Sequence, residues 1–167
     1  MYRCRVMAST DKPEVKIGLQ SQVASDVTIT EAGAGVILAL PRGFAGNLEI
    51  VCPAGVSFSA LPAVSVTAGN LILNTANIAL NAPWNNVLTI PVQASGTTAS
   101  TIKLSNVKLT IDRTVPEGEV KLSVGGSAVD MVNKKEPGIF LGPGKGKMTP
   151  FLKKTGNCFE KNLFVVK

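Results

Sequence analysis

Thr101-Ile-Lys-Leu-Ser-Asn-Val-Lys-Leu-Thr-Ile-Asp112 is the stretch that decides how this chain folds. Ile102 and Leu104 occupy even positions, whereas Val107, Leu109 and Ile111 occupy odd ones. Successive side chains of a strand point to opposite faces, so one unbroken strand cannot bury both sets. The spacing predicts a β-bulge or a change of sheet at Ser105-Asn106, as where a long strand bends across a sandwich. Beyond it, Val115-Pro116-Glu117-Gly118 joins a proline of fixed φ to a permissive glycine, and Val120, Leu122 and Val124 then alternate with Lys121 and Ser123. That pattern predicts a hairpin closing the domain.

The same periodicity runs through the preceding chain. Val15, Ile17 and Leu19 alternate with Lys16 and Gly18, and Val27 and Ile29 with Thr28 and Thr30. Further short runs cover 36–40, 48–52, 56–60, 64–66, 71–73, 78–80 and 87–92, separated by breakers such as Pro41-Arg42-Gly43, Pro53-Ala54-Gly55, Pro62, Gly69-Asn70, Pro83 and Gly96. No amphipathic helix competes with them. Short strands at near-regular spacing predict an all-β protein, an antiparallel sandwich or barrel rather than alternating βα units.

Length and charge set the organisation. The 167 residues, 45% of them apolar, suffice for one well-buried domain. The formal charge of +6 lies wholly at one end, because residues 1–132 carry nine cations against nine acids. Residues 133–167 hold eight lysines against Glu136 and Glu160, together with four of the six phenylalanines. This divides the chain into an arm (1–12), a β-sandwich domain (13–132) and a basic C-terminal extension (133–167). No window gives roughly twenty consecutive apolar residues, so no membrane span is expected.

The strand-and-turn patterns Val27-Thr-Ile-Thr-Glu31, Leu38-Ala-Leu-Pro-Arg-Gly-Phe44, 102–112 and Val115-Pro-Glu-Gly-Glu-Val-Lys-Leu122 resemble a β-sandwich domain found in bacterial cell-surface proteins. In those proteins it precedes copper amine oxidase-like N-terminal (stalk) repeats. The resemblance covers roughly residues 13–132 and implies an immunoglobulin-like or cohesin-like sandwich, similar in outline to carbohydrate-binding modules. It also implies a non-catalytic structural or adhesion role outside the cell, with a polysaccharide or another surface protein as partner. Met1 to Thr10 do not read as a secretory signal and no stalk repeat follows Val132, so a trimmed form of a longer surface protein is the expectation. No residue can be assigned to copper.

Histidine is absent, which removes the usual general base, Ser-His and Cys-His nucleophile pairs and imidazole ligands; no cofactor or metal is expected and the chain is read as non-enzymatic. Glycosidase chemistry needs only two carboxylates, but Glu117 and Glu119 flank a turn and lack a pKa-tuning apolar pocket. Asp26, Glu31, Asp112 and Asp130 lack the spacing of a calcium loop and read as surface solubility. Cys4, Cys52 and Cys158 cannot all pair within one chain; either Cys52 is a buried thiol between two free ends, or Cys4 bridges Cys158 or another chain.

Two ligand surfaces remain. Trp84, within Asn81-Ala-Pro-Trp-Asn-Asn86, is the single tryptophan and stands in a polar, loop-like setting. Its indole either caps an open end of the core or stacks on a sugar, with Asn81, Asn85 and Asn86 binding hydroxyls. Phe44 and Phe58 read as core. The tail motif Gly142-Pro-Gly-Lys-Gly-Lys-Met148 fails as a phosphate loop, since Leu141 stands where the first glycine belongs and Met148 where Ser or Thr belongs. Lys134, Lys135, Lys145, Lys147, Lys153 and Lys154 could still hold a polyanion, a cell-wall polymer in preference to nucleic acid. Val165 and Val166 could instead add a strand to a sheet edge.

Overall fold

The computed structural model describes residues 6–9, 14–40, 43–129 and 159–166, and the regular elements among these are β-strands with a 3-10 turn at Thr75–Asn77. In chain order the strands are β1 (Val6–Ser9), β2 (Glu14–Val15), β3 (Gln22–Val23), β4 (Val27–Glu31), β5 (Asn47–Val51), β6 (Val56–Phe58) and β7 (Ala63–Ala68). There follow β8 (Ile72–Leu73), β9 (Ala79–Leu80), β10 (Val87–Ala94), β11 (Thr101–Ser105), β12 (Lys108–Ile111), β13 (Gly118–Gly125) and β14 (Phe159–Val166). They form three sheets, ordered β1-β4-β11-β7, β2-β14-β13-β5-β10-β8 with β9 also on β10, and β3-β12-β6. Pairing is antiparallel except between β14 and β2, which run parallel.

The phase slip is resolved by a change of sheet. β11 lies between β4 and β7, with Leu104 opposite both Val27 and Val64. Asn106 then takes φ 56°, and β12 continues in another sheet between β3 and β6. One left-handed residue, tolerated by asparagine, turns the chain so that Ile102, Leu104, Val107, Leu109 and Ile111 are all buried. The Val107 carbonyl accepts from Ala24 N at 2.8 Å, so the transition keeps its backbone hydrogen bond.

A single apolar cluster collects side chains from all three sheets, including Ile29 and Ile102 from the first, Ile50, Ile90 and Leu122 from the second, and Phe58 and Leu109 from the third. β10 shows how register and composition agree: Leu88, Ile90 and Val92 are buried, and Pro91 sits where its flank passes from β9 to β8. The Pro91 carbonyl accepts from Asn74 N while Val92 N donates to Gly46 O on the opposite side, so the ring's missing N–H falls in the gap between two short strands.

Four expectations are corrected. Phe44 is 78% exposed, not core, on the loop before β5; Phe58 is buried. β12 and β13 do not form a hairpin, because the former joins β3 and β6 while the latter joins β5 and β14. Their turn links two sheets. The alternation at 15–19 ends early: after Val15 the chain turns at Gly18, whose N–H bonds Ile111 O at 2.9 Å, and Leu19 is exposed. The run 36–40 is not a strand either, although Val36 and Ile37 are buried and Ile37 bridges Val129.

Glu31 is also not a surface group. It is 3% exposed, and its carboxylate accepts from Ile37 N at 2.7 Å through Oε1 and from Ser100 N at 2.8 Å through Oε2. A buried carboxylate needs such donors.

The candidate cleft at Trp84

Trp84 is 73% exposed, so it does not cap the core. Its loop is closed from within. Asn85 N donates to Asn81 O at 2.7 Å, Asn81 N to Val87 O at 3.0 Å, and Val87 N to Asn81 Oδ1 at 2.7 Å. Asn81 Nδ2 donates to Asn86 Oδ1 at 2.8 Å, which occupies both ends of the Asn81 amide. The loop is anchored to the sheets by the Asn86 carbonyl, which accepts from Cys52 N, and by the Asn85 carbonyl, which accepts from Phe58 N, both at 2.8 Å. With Asn85 at φ 49° and Ala82-Pro83 in cis, the tryptophan stands at the tip of a hydrogen-bonded turn.

Trp84 and Asn86 form one side of an open cleft of ≈ 560 Å³. The Pro53-Ala54-Gly55 turn with Val56 and Ser57 forms another wall; Gly18 and Gln20 belong to the turn after β2, and Thr110, Ile111, Asp112 and Arg113 to the end of β12. The sheet change at Asn106 therefore delivers the end of β12 to this site. Of the four predicted contact residues, Trp84 and Asn86 line the cleft, while Asn81 and Asn85 organise the loop. Sequence reasoning missed Gln20, Asp112 and Arg113 as members of the site, since only a change of sheet places them opposite a loop some thirty residues upstream of Arg113.

The arrangement supplies an apolar ring beside amide, hydroxyl, carboxylate and guanidinium groups, the set that holds a polyol with one apolar face. Asp112 Oδ1 is used by Thr114 N at 3.2 Å. Elsewhere Asp26 pairs with Lys103 at 2.8 Å on the surface, an ion pair of little energetic weight. No three His, Cys, Asp or Glu side chains converge on a metal position among the described residues. No helix among them is long and apolar enough to cross a membrane. Lys134, Lys135, Lys145, Lys147, Lys153 and Lys154, with Asp130, Cys4 and Cys158, lie outside the described residues.

Cys52 is a buried free thiol beside a second cleft of ≈ 440 Å³ between Val51, Pro53, Val115 and Lys121. Burial pushes its pKa well above the ordinary thiol value, so the nucleophilic thiolate is suppressed. In a Cys4→Ser/Cys158→Ser variant, Ellman's reagent is expected to leave the native protein unmodified at neutral pH and to titrate one thiol after denaturation. Rapid stoichiometric reaction of the native form is the contrary result.

No protein-family model matches the chain, and no curated protein matches it. What the structure establishes is an all-β architecture of several antiparallel sheets.

Proposed function

We propose that this chain is a non-catalytic β-sandwich module, immunoglobulin-like or cohesin-like in outline, that acts outside the cell and binds a saccharide in the Trp84 cleft. The observation that carries the proposal is an indole 73% exposed on a loop fastened by its own hydrogen bonds, facing a polar cleft. A loop backbone already fastened loses little freedom when a sugar stacks on the ring it carries, so the contact area converts efficiently to affinity. The apolar cluster drawn from three sheets supports the sandwich, and the lack of histidine supports a binding role over a catalytic one.

Affinity electrophoresis through neutral polysaccharides tests this. Trp84→Ala is expected to weaken retention at least about tenfold, as loss of an aromatic anchor of roughly 2 kcal/mol does. Its melting temperature should stay near that of the native chain because the indole lies outside the core. The sole tryptophan also makes intrinsic fluorescence a direct report on ligand entry. Equal retention of both proteins on every polymer would sink the saccharide assignment.

A second role, adhesion to another surface protein, is favoured by Leu40 and Phe44, 68% and 78% exposed on one loop. Such a partner would be lost on Phe44→Ser and kept in Trp84→Ala. A lysine-tail polyanion site, by contrast, predicts steep salt dependence that vanishes when Lys134, Lys135, Lys145, Lys147, Lys153 and Lys154 are replaced by glutamine, which leaves β14 in place.

A further inference from the structure

We infer that the Trp84 cleft selects saccharides bearing a carboxylate, with Arg113 as the residue that recognises it; the inference rests on the saccharide reading above. Arg113 has no hydrogen bond or ion pair among the described residues, although Asp112 adjoins it in the chain. The adjacent carboxylate is engaged in its own turn through the Thr114 N–H. The guanidinium therefore brings five uncommitted donors to the cleft wall.

Its placement is built rather than incidental. The Arg113 stem lies against Gly18, where a side-chain carbon would stand 3.0 Å from Cγ and 3.3 Å from Nε. Gly18 adopts φ 75° and is fastened to the end of β12 by its N–H bond to Ile111 O at 2.9 Å. A left-handed residue without Cβ thus opens the shelf on which the arginine stem rests, two residues beyond the strand that fastens the shelf. A guanidinium held by its stem presents a planar fork, which matches the two oxygens of a carboxylate and no single hydroxyl. With Trp84 on the same cleft for the apolar face of the ring, the combination fits a hexuronate unit better than a neutral hexose.

The full chain is run through polygalacturonate, its methyl ester and dextran at about 0.3 M salt, where diffuse lysine contacts are screened. Polygalacturonate is expected to hold the chain about tenfold more tightly than the methyl ester. Arg113→Lys keeps the charge but loses the fork, and it should bring retention by polygalacturonate down to that by the methyl ester. Trp84→Ala should weaken retention by all polymers that bind. A preference unchanged in Arg113→Lys, or absent from the native chain, overturns the inference. If the neutral polymers still depend on Trp84 in that case, the saccharide role stands without the carboxylate. If nothing depends on Trp84, both fall.

Discussion

Deletion of Asn106 is expected to abolish cooperative folding, giving a chain without a sharp thermal transition and with a reduced β signal in circular dichroism. The residue is the single left-handed step between β11 and β12, and it lets Ile102 and Leu104 share a core with Val107, Leu109 and Ile111. Removing it places all five apolar residues in one unbroken alternation, so the segment runs on as a single straight strand; it cannot then serve both sheets, and if β11 keeps β4 and β7, β12 loses its places beside β3 and β6. Exposing Val107, Leu109 and Ile111 would forfeit on the order of 5–9 kcal/mol, at about 1.5–3 kcal/mol for each fully buried side chain. Domains of this size have roughly 5–15 kcal/mol in total. Asn106→Gly serves as the control, because glycine accepts the same φ without a Cβ penalty; it should melt within a few degrees of the native chain, while Asn106→Val should lose about 1–2 kcal/mol. A deletion variant with the native transition would mean that the sheet change does not depend on this residue.

That prediction is available because the slip at Ser105-Asn106 could be read without coordinates, and so could most of the strands. Period two is a local property, and where a strand has one buried face, as in β4, β5, β10 and β13, the burial alternates as the residues do. Misreadings fell where local pattern and tertiary partner part company. Val15, Ile17 and Leu19 alternate perfectly, yet Gly18 bonds Ile111 and turns the chain away. Phe44 is apolar, but its neighbours in space, not its type, decide its burial, and it has too few. Glu31 follows the apolar phase of Val27 and Ile29, a signal that could have identified it as buried had composition not argued for solvent. In the cleft, Trp84 was legible because a lone indole among asparagines is conspicuous. Arg113 was not, since its meaning depends on a sheet change and a glycine nearly a hundred residues away in sequence.

Glu31→Ala is expected to destabilise the domain by about 3 kcal/mol, seen as a lower denaturant midpoint at an unchanged slope. The carboxylate joins three parts of the chain: its own strand, the segment entering at Ile37, and the segment before β11 through Ser100. Glu31 N also donates to Ser100 O at 2.9 Å, and Ser100 Oγ passes the network on, accepting from Leu71 N at 3.2 Å and donating to Thr98 O at 3.1 Å. Alanine would leave the Ile37 and Ser100 amides buried without acceptors, each costing about 1–3 kcal/mol, while the relief of desolvating a charge returns part of that. Glu31→Gln keeps one acceptor and turns a donor toward the other amide, so about half the loss is expected. Hydrogen exchange separates this from a general loosening: the Ile37 and Ser100 amides should lose protection in Glu31→Ala while the β10 amides, remote in the ladder, keep theirs. A uniform loss across both sets would instead make Glu31 a packing residue. An alanine variant shifted by less than about 0.5 kcal/mol would show that water replaces the carboxylate at both amides, which a site this well enclosed by Ile37 and Ser100, each fully buried, is not built to allow.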